Sequence, residues 1–160
     1  MVKNTDNTYF LESVPFNLGQ TARIGELIGR NYYKKHLKGK TNILELDEFV
    51  ILSYLQKNPN ASQAEISKFF FKGKAHIGKI LNDMEQKGYI TRTVKLENGI
   101  MIKHSAVTKL GEKIYAHTDD EFNIVAKKIL SLLTEEEIEQ FSELLNKYKE
   151  ILLNNFEISF

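Results

Sequence analysis

Between Ser62 and Lys103 the chain gathers side chains suited to gripping a polyanion and reading its surface. Lys72, Lys74 and Lys79 supply cations. Gln63, Asn82 and Gln86 supply amides, which both donate and accept and so match the edges of bases. Most of them fall in "KGKAHIGKILNDMEQKGYI", Lys72 to Ile90. There Ile77, Ile80, Leu81 and Met84 recur at i, i+3, i+4 and i+7, one stripe of a helix. The opposite side carries Lys72, Ala75, Lys79, Asn82 and Gln86, flanked by His76 and Asp83. Ala75 is small enough to permit close approach. A basic run by itself is usually a solvated face, so the neighbouring elements must decide what this helix touches.

Those elements come in a suggestive order. A helix is expected from about Phe16 to Lys38, with Ile24, Leu27, Ile28 and Tyr32 at helical spacing and Gly39 as its stop. "LELDEFVILSYLQKN" predicts a second helix, capped by Asp47, and "NPNA" breaks it. "SQAE", Ser62 to Glu65, has capping-box spacing and starts a short third helix. Lys72 and Gly73 interrupt it, and the amphipathic stretch follows as a fourth helix, ended by Gly88. "YITRTVKL" and "IMIKHSAV" then flank Asn98-Gly99, the strongest short-range hairpin signal, and predict a two-stranded ribbon. Helix, tight basic turn, helix and ribbon make a helix-turn-helix with a β-hairpin wing. In that motif the second helix of the pair enters the major groove. On that reading His76 touches a phosphate or base at the helix start, with Ser62 and Gln63 at the start of the preceding helix.

From Thr108 the pattern is helical nearly to the end. Leu110, Ile114, Val125 and Leu132 mark a long helix, with a bend expected near "HTDDE". Thr134 and Glu137 form a second capping-box pattern. Ile138, Phe141, Leu145, Tyr148 and Leu152 then follow heptad spacing, which fits a helix lying along another helix. The tail "NNFEISF" is apolar enough that packing is expected of it. The fold class is therefore mainly α with a small β-hairpin wing. Residues 45–107 form the winged lobe, and 1–44 with 108–160 form a helical region beside it.

Composition supports this division. The 160 residues carry a net charge of only +1, but its distribution is uneven. Residues 1–60 hold 8 Lys/Arg against 6 Asp/Glu, 61–107 hold 8 against 4, and 108–160 hold 6 against 11. A basic middle on an acidic support is what a nucleic-acid module shows. Cysteine is absent, which excludes disulfides, thiolate zinc sites and thiol catalysis. No apolar stretch has signal-peptide or membrane-spanning length, so a cytoplasmic protein is expected.

At this point "LDEFVILSYLQKNPNASQAEISKFFFKGKAHIGKILNDMEQKGYITRT" resembles the winged-helix core of the MarR family of transcription regulators. "IGKILNDMEQKGYI" resembles that family's recognition helix, with its ending at Met84, Glu85 and Gly88. "AVTKLGEKI" resembles the segment in which the wing passes into the dimerisation helix. The resemblance covers about Phe16 to Leu153. It implies a homodimer, with 1–44 and 108–160 as its dimerisation region, that binds a pseudo-palindromic operator in double-stranded DNA. It further implies release by a small aromatic or anionic effector, in a cleft bordered by Tyr32, Tyr33, His36 and Tyr54. One departure stands out. The family's wing usually carries an Asp-x-Arg pair, and "KLENGIMIKHS" has no arginine. Lys95 and Lys103 are the substitutes, with Asn98 at the tip and Arg92 lower in the ribbon.

The leading function is thus a dimeric, sequence-specific regulator, a ligand-responsive repressor without a cofactor. Asn82, Gln86 and Gln63, with so few arginines, point to an A·T-rich operator. One alternative is a winged-helix module that binds protein, or DNA without sequence preference. Another is a metal-responsive regulator: His117 and Glu121 have ligand spacing on a helix, and His36, His76 or His104 could join them. The plainer account of His117 is a polar, exposed helix face. Phe69 to Phe71 are best taken as core rather than a ligand-stacking set. An enzyme is not expected, since no nucleophile motif or phosphate-cradling glycine loop occurs.

Overall fold

The computed structural model describes residues 10–38 and 43–158, in two compact units. The first unit is the helix α1, Val14–Tyr32, which continues as a π-helical turn, Tyr33–Leu37. Ser13 caps it, accepting from the Phe16 N–H, and Pro15 sits in its first turn, where no intrahelical N–H is needed. Ile24, Leu27 and Ile28 are each about half exposed. Gly39, expected to stop this helix, lies outside the described residues.

The second unit holds α2 (Leu46–Lys57), β1 (Ala61–Ser62), α3 (Gln63–Phe70), α4 (Lys74–Gln86), β2 (Ile90–Glu97), β3 (Ile100–Val107), α5 (Lys109–Leu130) and α6 (Glu135–Asn155). Its core is Leu44, Ile51, Leu52, Leu55, Ile66, Ile77, Leu81, Met84, Ile90 and Ile114, all nearly sealed from water. Each such side chain contributes about 2 kcal/mol by burial. Phe49 stacks on Tyr115 and tilts against Phe122, which fixes α5 along α2. The buried Thr118 hydroxyl donates to the Ile114 carbonyl and accepts from the Leu44 N–H, so the entry to α2 is tied to α5.

Several local expectations differ from what the chain does. Asp47 is not the cap of α2. Glu45 is, in a capping box with Glu48, because Glu48 lies at the third helical position and reaches back to the Glu45 N–H. The wing is not two-stranded. The two residues of β1 pair antiparallel with β3, Ala61 opposite Ser105 and Ser62 opposite His104, giving the order β1-β3-β2. Helix α5 runs uninterrupted through His117–Glu121 and ends before Leu132. In α6, Phe141 and Leu145 are exposed despite their heptad spacing; in the tail, Phe156 and Ile158 keep much of their surface exposed but line a groove with Ala64, Ser67 and Phe71.

Glycines fix two junctions. Gly88, with φ +75°, follows α4. There the Tyr89 N–H returns to the Met84 carbonyl and the Gly88 N–H to that of Glu85, a Schellman ending. At Gly111 a Cβ would lie 2.1 Å from the Tyr89 carbonyl oxygen, so only glycine lets the first turn of α5 rest on the start of β2. Thr108 completes that junction: its hydroxyl donates to the Gly88 carbonyl and accepts from the Gly111 N–H.

Candidate nucleic-acid interface

The turn between α3 and α4 is closed by backbone alone. Phe71 adopts a left-handed conformation, φ 50°, and the Lys72 N–H returns to the Ser67 carbonyl. A single αL residue ends α3 and lets Gly73 cap α4, which crosses the front of the lobe. Of the three consecutive phenylalanines, Phe70 is half-buried, while Phe69 and Phe71 stay exposed. Core is thus only part of their role, since one helix face cannot bury three neighbours. Phe69 tilts against Tyr54 at 4.4 Å between centroids, and Phe70 meets the same ring edge-to-face at 5.8 Å.

The solvent face of α4 lines an open groove of about 770 Å³. Lys74, Ala75, Gly78, Lys79, Asn82, Asp83 and Gln86 come from α4 itself, spaced as one helical face. Gln63 enters from the start of α3, and Arg92 and Lys103 from the wing. Four cations face one carboxylate there, so the groove favours an anion.

The structure does not bring every expected residue to this groove. Lys72 and His76 turn to the start of α2, where Lys72 Nζ lies 2.7 Å and His76 Nε2 3.5 Å from the Asp47 carboxylate. Burial pushes the Asp47 carboxyl up, but these two partners outweigh it and hold it below its ordinary value. Ser62 is buried and committed: its hydroxyl caps α3 and its N–H donates to Glu65. Hydrogen bonds from the Ser62 N–H and hydroxyl hold the Glu65 carboxyl low. Lys95 and Lys103, both expected to replace the wing arginine, point to opposite faces of the ribbon. Lys103 pairs with Val94 on the Arg92 face, and Lys95 pairs with Ile102 on the other. Asn98 and Gly99, both at positive φ, form the wing tip, and Asn98 is exposed.

Two of the three amides are already occupied. Arg92 Nη1 donates to Asn82 Oδ1 at 2.5 Å and Nη2 to Gln63 Oε1 at 3.0 Å, while Gln63 Nε2 donates to the Lys74 carbonyl at 2.9 Å. Gly78 has a part hard to foresee from its residue type alone. A Cβ there would lie 2.8 Å from Gln63 Nε2, so the bare helix surface is where that side chain crosses.

Away from the groove, Tyr32 stacks on His36 at 4.7 Å within the first unit. His104 contacts the Asn60 carbonyl and Glu97. Among the described residues no three His, Asp or Glu side chains gather as metal ligands, and His117 is exposed. No helix of the described residues is long and apolar enough to cross a membrane.

Comparison with known proteins agrees with this geometry. Residues 44–95, from the entry to α2 through most of β2, match the model of the MarR family. No curated protein matches the chain. Among solved structures, BldR from Sulfolobus solfataricus superposes with a TM-score of 0.74 at 16% identity, over 91% of this chain and 100% of its own. MepR of S. aureus in complex with DNA gives 0.69 at 18%, over 90% and 99%. PcaV from Streptomyces coelicolor with its natural ligand gives 0.70 at 14%, over 90% and 97%. Identities this low establish a shared fold, and the family match falls on the segment that builds the groove. Over residues 44–95 the chain is similar to the MarR family of transcription regulators, and as a whole it shares the fold of these solved structures.

Proposed function

We propose that this protein is a dimeric, sequence-specific DNA-binding repressor whose grip on an operator is released by a small molecule. The observation that carries the reading is the groove along α4. A helix fits the ~12 Å major groove, and Lys79 and Gln86 stand on the face that would enter it. Lys74 and Lys103 flank that face for phosphates, Ala75 permits approach, and Lys95 and Asn98 meet the backbone from the wing. Asp83 in the same groove suits an exposed cytosine amino group and disfavours a phosphate.

A second copy of the chain is supported by the exposed apolar heptad of α6 and by Ile24, Leu27 and Ile28 of α1. On this reading 45–107 binds DNA, and 1–44 with 108–160 dimerises. Two recognition helices then meet half-sites about one helical turn apart, and a dimer on a promoter excludes polymerase. An aromatic or anionic effector that favours a different spacing of the two helices lowers operator affinity. Tyr32, Tyr33, His36 and Tyr54 are the candidates to hold it, and PcaV, with its natural ligand, offers a precedent in the fold.

The test is fluorescence anisotropy on the DNA upstream of the protein's own gene, against shuffled DNA of equal composition, over a salt series. Specific binding should exceed non-specific by about 10³. Lys79→Ala with Gln86→Ala should remove the difference. Equal affinity for both DNAs, with a steep salt dependence, would favour a non-specific winged-helix module instead.

A further inference from the structure

The network of Arg92, Asn82 and Gln63 joins three parts of the chain and says more than that the groove is polar. A guanidinium only donates hydrogen bonds, so whatever atom of Asn82 faces Arg92 must be its carbonyl oxygen. The same holds for Gln63, and there a second partner agrees: the other end of the amide faces the Lys74 carbonyl and must be its NH2. Both amide orientations are thus fixed by chemistry. Arg92 Nε is buried without a partner among the described residues, so the two amide oxygens are what holds the guanidinium in place. Gly78 makes room for the crossing.

Adenine is read by an amide that accepts from N6 and donates to N7 at once, which needs both ends free. With Oδ1 turned to the Arg92 cation and one of its lone pairs taken, the NH2 is the end of Asn82 left free for a base. Guanine presents two acceptors in the major groove, O6 and N7, while adenine sets a donor beside its one acceptor. We propose that Arg92 is a positioning residue which turns Asn82 into a donor that reads guanine, with Gln63 as a strut rather than a reader. This rests on the DNA-binding reading above. It replaces the expectation of an A·T-rich site at the base Asn82 meets.

The experiment is selection of binding sites from random DNA by the full-length protein, followed by affinities on matched operators. Asn82→Ala identifies the position that Asn82 reads, as the one that relaxes. In the wild type that position should be guanine, preferred over adenine by about tenfold. In Arg92→Ala the freed amide can pair with adenine, so the preference should vanish or invert there and hold elsewhere. Arg92→Lys keeps the charge but not the fork, and should behave as Arg92→Ala. Gln63→Ala should loosen the same position and no other. Gly78→Ala attacks the network from the helix side without removing the arginine, and should shift the preference the same way by less. It keeps the inference open to test if Arg92→Ala folds poorly.

Adenine at that position in the wild type would overturn the inference. So would equal weakening of every site by Arg92→Ala, or a wild-type preference kept by Arg92→Lys, since either marks a phosphate contact. A wild-type selection with no enriched site at all would overturn the regulator reading itself, and this inference with it.

Discussion

Helices α4 and α6 carry the same kind of apolar stripe and meet opposite ends. In α4, Ile77, Leu81 and Met84 are sealed in the core. In α6, Phe141, Leu145 and Leu152 repeat with equal regularity, and none is buried. Periodicity tells which face of a helix is apolar, not what covers it. The lobe built on α4 closes its own core within residues 44 to 114. Among the described residues of its own unit the face of α6 finds no such cover, and under the proposed function a second copy supplies it. The contrast predicts a lobe sensitive to substitution in the single chain and an α6 sensitive only through association.

Gly111→Ala should break the lobe most severely. Its Cβ would enter the Tyr89 carbonyl, and backbone on both sides prevents relaxation. A loss of about 3 kcal/mol or more is expected in urea unfolding. A change under 1 kcal/mol would mean that α5 does not rest on β2 as described. Leu81→Ala, at a fully buried position, should cost about 3 kcal/mol by removing packed volume. The matching change in the other helix, Leu145→Ala, should barely alter unfolding at low concentration. It should instead raise the dimer dissociation constant seen in sedimentation. If both substitutions destabilise a dilute monomer equally, the comparison fails.

Lys87→Met probes a finer feature of the lobe. Glu48 is buried, and Lys87 Nζ lies 2.6 Å from its carboxylate. Removing the cation leaves a buried acid with only the Glu45 N–H as a partner among the described residues. Because Lys87 is itself half exposed and water reaches the pair, a cost of about 2 kcal/mol is expected. The Glu48 hydrogen bond holds the Lys87 ammonium above its ordinary value, against an opposing effect of burial. Its contribution is therefore present below pH 10.5 and lost as pH rises through the higher folded value.

What could be read ahead of the structure was local. The two Ser/Thr-x-x-Glu boxes, the glycine after α4 and the Asn-Gly turn each rest on residues within a few positions of one another, and each is present. What could not be read joins distant residues. The strand β1 is two residues long and exists only because β3 lies beside it. The Arg92 network needs positions 63, 82 and 92 brought together by folding, so three residues that looked like separate DNA contacts are one assembly. Lys72 and His76 were legible as basic but not as partners of Asp47 on α2. Ser62 was legible as a cap, and its burial follows from the strand that was not. A weak clue to the network did exist: a glycine in the middle of an amphipathic helix costs helix propensity and asks for a reason.

The smallest effect separates the two regions by their capping boxes. Ser62 with Glu65 and Thr134 with Glu137 make the same reciprocal bonds. In both, hydrogen bonds from the cap hold the glutamate below its ordinary value of 4.5. A carboxyl with a lowered folded value stabilises fully above the unfolded value and loses that contribution as pH falls through the lower one. The loss should therefore set in below about pH 4.5 for both helices. Only in the lobe should it register in cooperative unfolding. There Ser62 is also a strand residue against β3, so fraying α3 disturbs the sheet and the placement of Gln63. Glu65→Gln should flatten part of the acid decline of the unfolding midpoint, and Glu137→Gln should leave it unchanged. Equal flattening by both would show that α6 unfolds together with the lobe, and that its exposed face is held by the chain itself.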